Sequence, residues 1–131
     1  MTKEVVHSIN AAPAAGPYSQ AVRQGPFLFI SGQLPIDPVS GVMPESVEAQ
    51  TRLSLVNVSA ILETAGGNLS NVLKTTVFLK DMDEFSKMNA IYGEHFLKDP
   101  PARSTIEVAR LPRDAKVEIE AIAYIEGSTD V

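Results

Sequence analysis

The chain has 131 residues, a formal net charge of −5 and no cysteine. The missing cysteine removes disulfides, thiolate nucleophiles and cysteine-ligated zinc. The acidic balance argues against a nucleic-acid partner, whose affinity rests on neutralising phosphate. Arg110, Arg113 and Lys116 are the nearest approach to a basic cluster, and they read as a charged turn.

Apolar content of 44% against 21% charged residues suits one domain with a real core, residues 1–131. No apolar run is long enough to span a bilayer. The start, Met1 to His7, lacks the apolar centre of a secretory signal, so the expected address is the cytosol and no membrane is expected as partner.

In chain order, Glu4 to Ser8 is a short β-like run, and Ala11 to Gly16 is a loop of small residues. Ala21 to Gln24 and Phe27 to Ser31, divided by Gly25-Pro26, read as a hairpin. Gly32 to Pro44 carries Pro35, Pro38, Gly41 and Pro44 and is predicted to be a loop.

A helix follows, with Ser46 as N-cap and Glu48 in its first turn. Two apolar stripes at helical spacing, Ala49-Leu53-Val56-Ala60 and Leu55-Val58-Leu62-Ala65, give it a wide apolar face. Gly66-Gly67 ends it. Leu73 to Leu79 is predicted to be a strand. Asp81 or Asp83 caps a second helix carrying Phe85, Met88, Tyr92 and Phe96.

The last part of the chain, from Pro101 to Ala123, reads as two strands joined by a tight turn. The order β-β-β-α-β-α-β-β predicts an α+β domain with both helices on one face of a mixed sheet. In the final strand Val117, Ile119, Ala121, Ala123 and Ile125 share one face, and Glu118, Glu120, Ile122 and Tyr124 the other. The second face still carries apolar groups, which predicts burial against another subunit.

Charges in these last two strands need a reason, because a buried charge is costly unless paired or used. Arg103 opens the first of them, and Glu118 and Glu120 interrupt the second. A small anionic substrate held by Arg103, with a carboxylate nearby to handle a water, is the reading favoured here. Glu118 and Glu120 share a face and Glu107 shares that of Arg103, so three carboxylates compete for the role. His7 and His95 have no metal-ligand spacing, and Ser19, Ser31 and Ser104 have no accompanying His–Asp pattern.

Five segments together resemble the RidA/YjgF family: Gly16-Pro17-Tyr18-Ser19-Gln20, Ser31-Gly32-Gln33-Leu34-Pro35, Lys74 to Leu79, Asn89-Ala90-Ile91-Tyr92, and Pro101-Ala102-Arg103-Ser104 with the Glu107 to Pro112 run. The resemblance spans essentially the whole chain. It implies a chorismate-mutase-like α+β fold, a homotrimer with clefts between subunits, and no metal or organic cofactor. The implied activity is hydrolysis of reactive 2-imino and enamine acids, such as 2-aminoacrylate and its imine tautomer, to a 2-oxo acid and ammonia.

Carried over position by position, the resemblance makes Arg103 the carboxylate-binding arginine and Glu118 the water-placing glutamate. It puts Tyr18, Ser31, Gly32 and Asn89 at the cleft. Thr105 stands where many members have cysteine, and it serves if that position acts through its backbone. Two other classes stay open on the same resemblance: a ribonuclease or translation inhibitor, and a regulatory protein that binds 2-oxo acids without turnover.

Overall fold

The computed structural model describes residues 2–126. Its strands are β1 (Glu4–Val6), β2 (Ala21–Gln24), β3 (Phe27–Gln33), β4 (Val72–Leu79), β5 (Ala102–Glu107) and β6 (Val117–Tyr124). Its helices are α1 (Val47–Thr64) and α2 (Phe85–His95). The six strands form one sheet in the order β1-β2-β3-β6-β4-β5. The β4–β5 pair is parallel and the other pairs are antiparallel. The element order and the mixed sheet agree with the α+β expectation.

The β2–β3 hairpin turns through Gly25-Pro26, with Gln24 opposite Phe27 and Gly25 supplying a φ of 59°. β3 runs past Ser31, where the alternation suggested an end. The register slips between Ile30 and Gln33, after which Gln33 pairs with Ile119. Ser31 and Gly32 therefore lie in a bulge, which bends the strand; Ser31 N–H donates to the Gln20 carbonyl, and the Ser31 carbonyl accepts from Gln33 Nε2.

The expected closing hairpin is not formed. β5 and β6 are consecutive but not neighbours, because β4 lies between them. β5 follows β4 through α2 and adds at the edge as a parallel strand. The chain then crosses the end of β4 and enters the slot beside β3. Val108 N–H donates to the Leu79 carbonyl, and Lys80 N–H donates to that of Lys116. Arg113 and Asp114 take left-handed φ values of 57° in this crossing, and Asp114 is held by Lys80 at 2.8 Å.

Ser46 caps α1 by accepting from Ala49 N–H. At the other end Gly66 (φ +92°) donates to Glu63, and Gly67 donates to Leu62. This double bond pattern needs a left-handed residue at position 66. The guanidinium of Arg23 adds a bond to the Ala65 carbonyl at 2.8 Å.

The stripe Leu55-Val58-Leu62 is buried as expected, with Ile61 beside it. The other predicted stripe is not core: Val56 is exposed, and Ala49, Leu53 and Ala60 are only partly covered. Gln50, Thr51, Ser54 and Asn57 are buried in its place. The second helix also starts differently. Asp81 accepts from Asp83 N–H at the head of a single 3-10 turn (Met82–Glu84), which leads directly into α2. Asp83 caps nothing, and Glu84 at the start of α2 makes no side-chain cap bond.

Both helices cover one face of the sheet. Leu28, Ile30, Val77, Leu79, Val117, Ile119, Ala121 and Ala123 meet α1 and the Met88 and Tyr92 side of α2 in one core. Each large apolar side chain fully buried there is worth about 1.5–3 kcal/mol. Among the described residues no helix is long and apolar enough to cross a membrane.

Candidate active site

Arg103 sits at the start of the edge strand β5, level with Thr75 of β4. Thr75 is in turn level with the core residue Ala121, so Arg103 is on the helix-covered face. Its guanidinium carbon lies 4.7 Å from the centre of the Tyr92 ring and 5.6 Å from that of Phe85. The Tyr92 hydroxyl is tied to Thr75 Oγ1 at 2.7 Å, which fixes the ring. Burial pushes the Tyr92 phenol above its ordinary pKa, opposed by the Thr75 bond and the Arg103 charge.

Resting on aromatic faces leaves a guanidinium's N–H edges open, the geometry in which it takes a carboxylate through two parallel bonds. Among the described residues no carboxylate lies within ion-pair distance of Arg103; the pairs formed are Arg52–Glu94 and Lys80–Asp114.

Asn89 shares the α2 face of Phe85 and Tyr92 by helical spacing. Thr105 follows Arg103 on the same side of β5, level with Val77. Asn89 Oδ1 and Thr105 Oγ1 are both buried without a hydrogen-bond partner. Glu107 ends the same strand, but its Oε1 accepts from Met82 N–H at 2.7 Å and starts the 3-10 turn. That gives Glu107 a structural task.

Glu118 is elsewhere. It is level with Phe78 of β4, and Phe78 is level with Ile106 of β5. That register puts Glu118 on the opposite face of the sheet from Arg103. Its carboxylate lies against Gly32 in the β3 bulge, where a β-carbon would come within 2.5 Å of Oε2. Burial raises the Glu118 pKa above the ordinary carboxylate value, and the neighbouring Glu120 charge adds to it. Glu120 itself is exposed, level with Thr76.

The Ser31 hydroxyl donates to the Ser19 carbonyl at 2.6 Å, so it serves to hold the loop. Tyr18 is 48% exposed, and its hydroxyl accepts from Ala15 N–H at 3.1 Å. Tyr18 and Gly32 line one pocket with residues 12–15, Gln20, Gln33, Leu34 and Ile36.

The seven predicted residues thus fall into two groups. Arg103, Thr105 and Asn89 stand on the helix side at the β5 edge. Tyr18, Ser31, Gly32 and Glu118 gather around the β3 bulge, with Glu118 on the other face. One chain does not bring them together. Two contributions escaped the sequence reading. Tyr92 and Phe85, placed by the sequence only on the second helix, carry the guanidinium. Gln20, 3% exposed, accepts from Ser8 N–H and donates to the Ser8 and Ala12 carbonyls, hanging one pocket wall. A lone glutamine beside a loop gives no signal of that.

Among the described residues no element covers the face that carries Glu118. Phe27, Phe29, Ile106 and Tyr124 are exposed there, with the Phe27 and Tyr124 rings edge to face at 5.3 Å. Among the described residues no three His, Asp or Glu side chains converge as metal ligands would.

A family model described as Endoribonuclease L-PSP matches residues 8–125. A RutC family protein of Pyrococcus horikoshii is 54% identical over 125 residues, covering 95% of this chain and 99% of its own. A 2-iminobutanoate/2-iminopropanoate deaminase of Salmonella typhimurium is 51% identical over 117 residues, covering 87% of this chain and 91% of its own. Among solved structures, E. coli TdcF with bound serine superimposes with a TM-score of 0.90 at 43% identity, covering 92% of this chain and 98% of that one.

Proposed function

The chain belongs to the RidA/YjgF family, also named RutC, and on that premise we propose that it hydrolyses reactive 2-imino and enamine acids to 2-oxo acids and ammonia. The substrates are the 2-iminopropanoate/2-aminoacrylate pair and 2-iminobutanoate. The observation that carries this is Arg103: an arginine set over two aromatic rings, with no carboxylate of the described residues within ion-pair distance, in a chain of net charge −5. A small organic carboxylate is the partner such a group lacks.

In the proposed reaction the substrate carboxylate binds Arg103. A water beside Glu118 loses a proton to the Glu118 side chain as the water oxygen bonds to the imine carbon. That proton passes to the imine nitrogen, giving the carbinolamine. Its hydroxyl proton then moves through Glu118 to the amino nitrogen, the C–N bond breaks with its electron pair on nitrogen, and ammonia leaves as the carbonyl forms. A carboxylate with a raised pKa is a stronger base than an ordinary one. Orientation supplies much of the remaining gain.

Because Arg103 and Glu118 lie on opposite faces of one sheet, the proposed site is completed by a second copy. The uncovered apolar face supports this, and a homotrimer with clefts between subunits supplies it. Phe27, Phe29 and Tyr124 are the groups such an assembly buries.

Coupling the protein to a threonine dehydratase tests the activity: 2-oxobutanoate release should accelerate over the dehydratase alone, and no acceleration removes the deaminase reading. Mixing Arg103→Ala with Glu118→Gln tests the shared site. After subunit exchange about a quarter of the interfaces pair an intact arginine with an intact glutamate, so activity should return from two inactive parents. A mixture as inactive as its parents refutes the shared site.

A further inference from the structure

The pocket beside Gly32 has two walls, and each is hung from one buried carboxamide. Gln20 holds the wall of residues 12–15 through its bonds to Ser8 and Ala12. The facing wall is Leu34 and Ile36. Asn57, fully buried on α1, donates through Nδ2 to the carbonyls of both, at 3.1 and 3.0 Å. Two turns earlier on the same helix Gln50 donates to the Pro44 carbonyl at 2.7 Å and accepts from Lys116 N–H at 2.7 Å. The 34–44 loop is thus fastened at both ends to one seam of α1, and that seam also fixes the residue two before Glu118.

Asn57 gives up something for this placement. Its Oδ1 is buried with no partner, as is Ser54 Oγ on the same helix face. A half-satisfied buried amide is a net burden on the fold, and an apolar side chain of similar size would pack there without it. Of its two loop acceptors, the Leu34 carbonyl also receives the Ile36 N–H, whereas Asn57 Nδ2 is the donor described for the Ile36 carbonyl. The geometry points to Asn57 as a positioning residue: it sets the Leu34–Ile36 wall against the Gly32–Glu118 contact and so aligns the water-handling half of the site. This rests on the functional reading above, in which that half places the attacking water.

Asn57→Ala tests it, with Ser54→Ala as a control of equal burial that has no bond to the loop. Residue-resolved amide exchange and steady-state imine hydrolysis are both measured on the full chain. The reporting amides are Ile36, Asp37 and Gly41, which donate to Leu34, Val42 and Asp37 within the loop. In Asn57→Ala they should exchange about tenfold faster while Leu28 and Ile30 in β3 keep their protection. In the same variant kcat should fall more than KM rises, and Ser54→Ala should change neither reading. If Asn57→Ala does not fold, Asn57→Ser, which keeps one donor, should show the same pattern at smaller amplitude. Unchanged loop protection overturns the assignment. So does protection lost equally in β3 and β6, or loop protection lost with kcat and KM intact. If the parent protein shows no turnover, the functional reading fails by itself, and the exchange measurement still decides whether Asn57 holds the wall.

Discussion

Gly32→Ala is the sharpest probe of the Glu118 half of the site. Position 32 does not need glycine for its backbone, since the positive-φ glycines described are Gly25, Gly41 and Gly66. It needs glycine for space. The new methyl would stand 2.5 Å from Glu118 Oε2 and 2.8 Å from its carboxyl carbon. Ordinary contact begins near 3.4 Å, so the carboxylate must retreat by about 0.9 Å, and it can, being the free end of a flexible side chain. A misplacement of about 1 Å at a reacting group costs on the order of 10²-fold in rate, or about 2.7 kcal/mol of barrier. Stability should hold or rise slightly, because alanine lowers the entropy of the unfolded chain by about 0.4–1 kcal/mol. The assay is dehydratase-coupled release of 2-oxobutanoate, with thermal unfolding alongside. A second arm places Gly32→Ala in the Glu118→Gln background, where it should cost almost nothing more, since both changes act through one carboxylate. Full activity in Gly32→Ala refutes the reasoning. A loss of activity that matches a large loss of stability also refutes it, because the backbone would then have moved in place of the side chain.

Glu118→Gln should lower kcat by about 10²–10⁴, and in the unsubstituted protein the acid limb of the rate profile for the proposed reaction should lie above the ordinary carboxylate range, since burial raises this pKa. The same shift fixes a stability sign. The folded state holds the proton more tightly than the unfolded one, so the contribution is present at acid pH and lost as pH rises through the folded value. Glu118→Gln should therefore stabilise the protein at neutral pH, by less than about 1 kcal/mol given its partial solvation, read from denaturant midpoints at two pH values. Arg103→Lys keeps the charge but loses the planar fork, so KM for the imino acid should rise by at least about tenfold. Thr105→Val removes a buried hydroxyl that has no partner; melting should rise slightly with activity unchanged, and a lost activity would assign the hydroxyl a role. Phe29→Glu places a charge on the uncovered sheet face, and light scattering should report a folded monomer without turnover.

Much of the fold was legible because its elements carry clean periodicities. β6 alternates without a fault from Val117 to Tyr124, and α1 carries both a capping serine and a glycine stop. What was not legible was adjacency. Two strands joined by a short loop look like a hairpin whichever strand they flank, and only the pairing of β4 with both places β4 between β5 and β6. The α1 face misled for a related reason. Apolar residues mark a stripe that can be buried, but the stripe with Leu55 and Val58 was enough for the sheet. The neighbouring stripe went to Gln50 and Asn57, whose amides answer carbonyls far away in sequence. No local pattern reports a demand made by a distant loop.

The site residues were nameable in the sequence, but their relation was not, because face parity cannot be compared between strands until their register is known. β4 supplies that register: Thr75 is level with Arg103, and Phe78 is level with Glu118. An arginine and a glutamate placed side by side in one chain would pair. The pair would occupy the guanidinium and pull the glutamate's pKa down, which spoils both an anion site and a base. Dividing them across the sheet leaves Arg103 without a carboxylate partner among the described residues and leaves Glu118 with a raised pKa. The charged residues in the last two strands, which looked out of place in half-buried β structure, are therefore compatible with the core. Arg103 sits at its edge over aromatic rings, and Glu118 and Glu120 point away from it. Under the proposed assembly the two charges meet only across an interface, where a substrate carboxylate can come between them and take the guanidinium first.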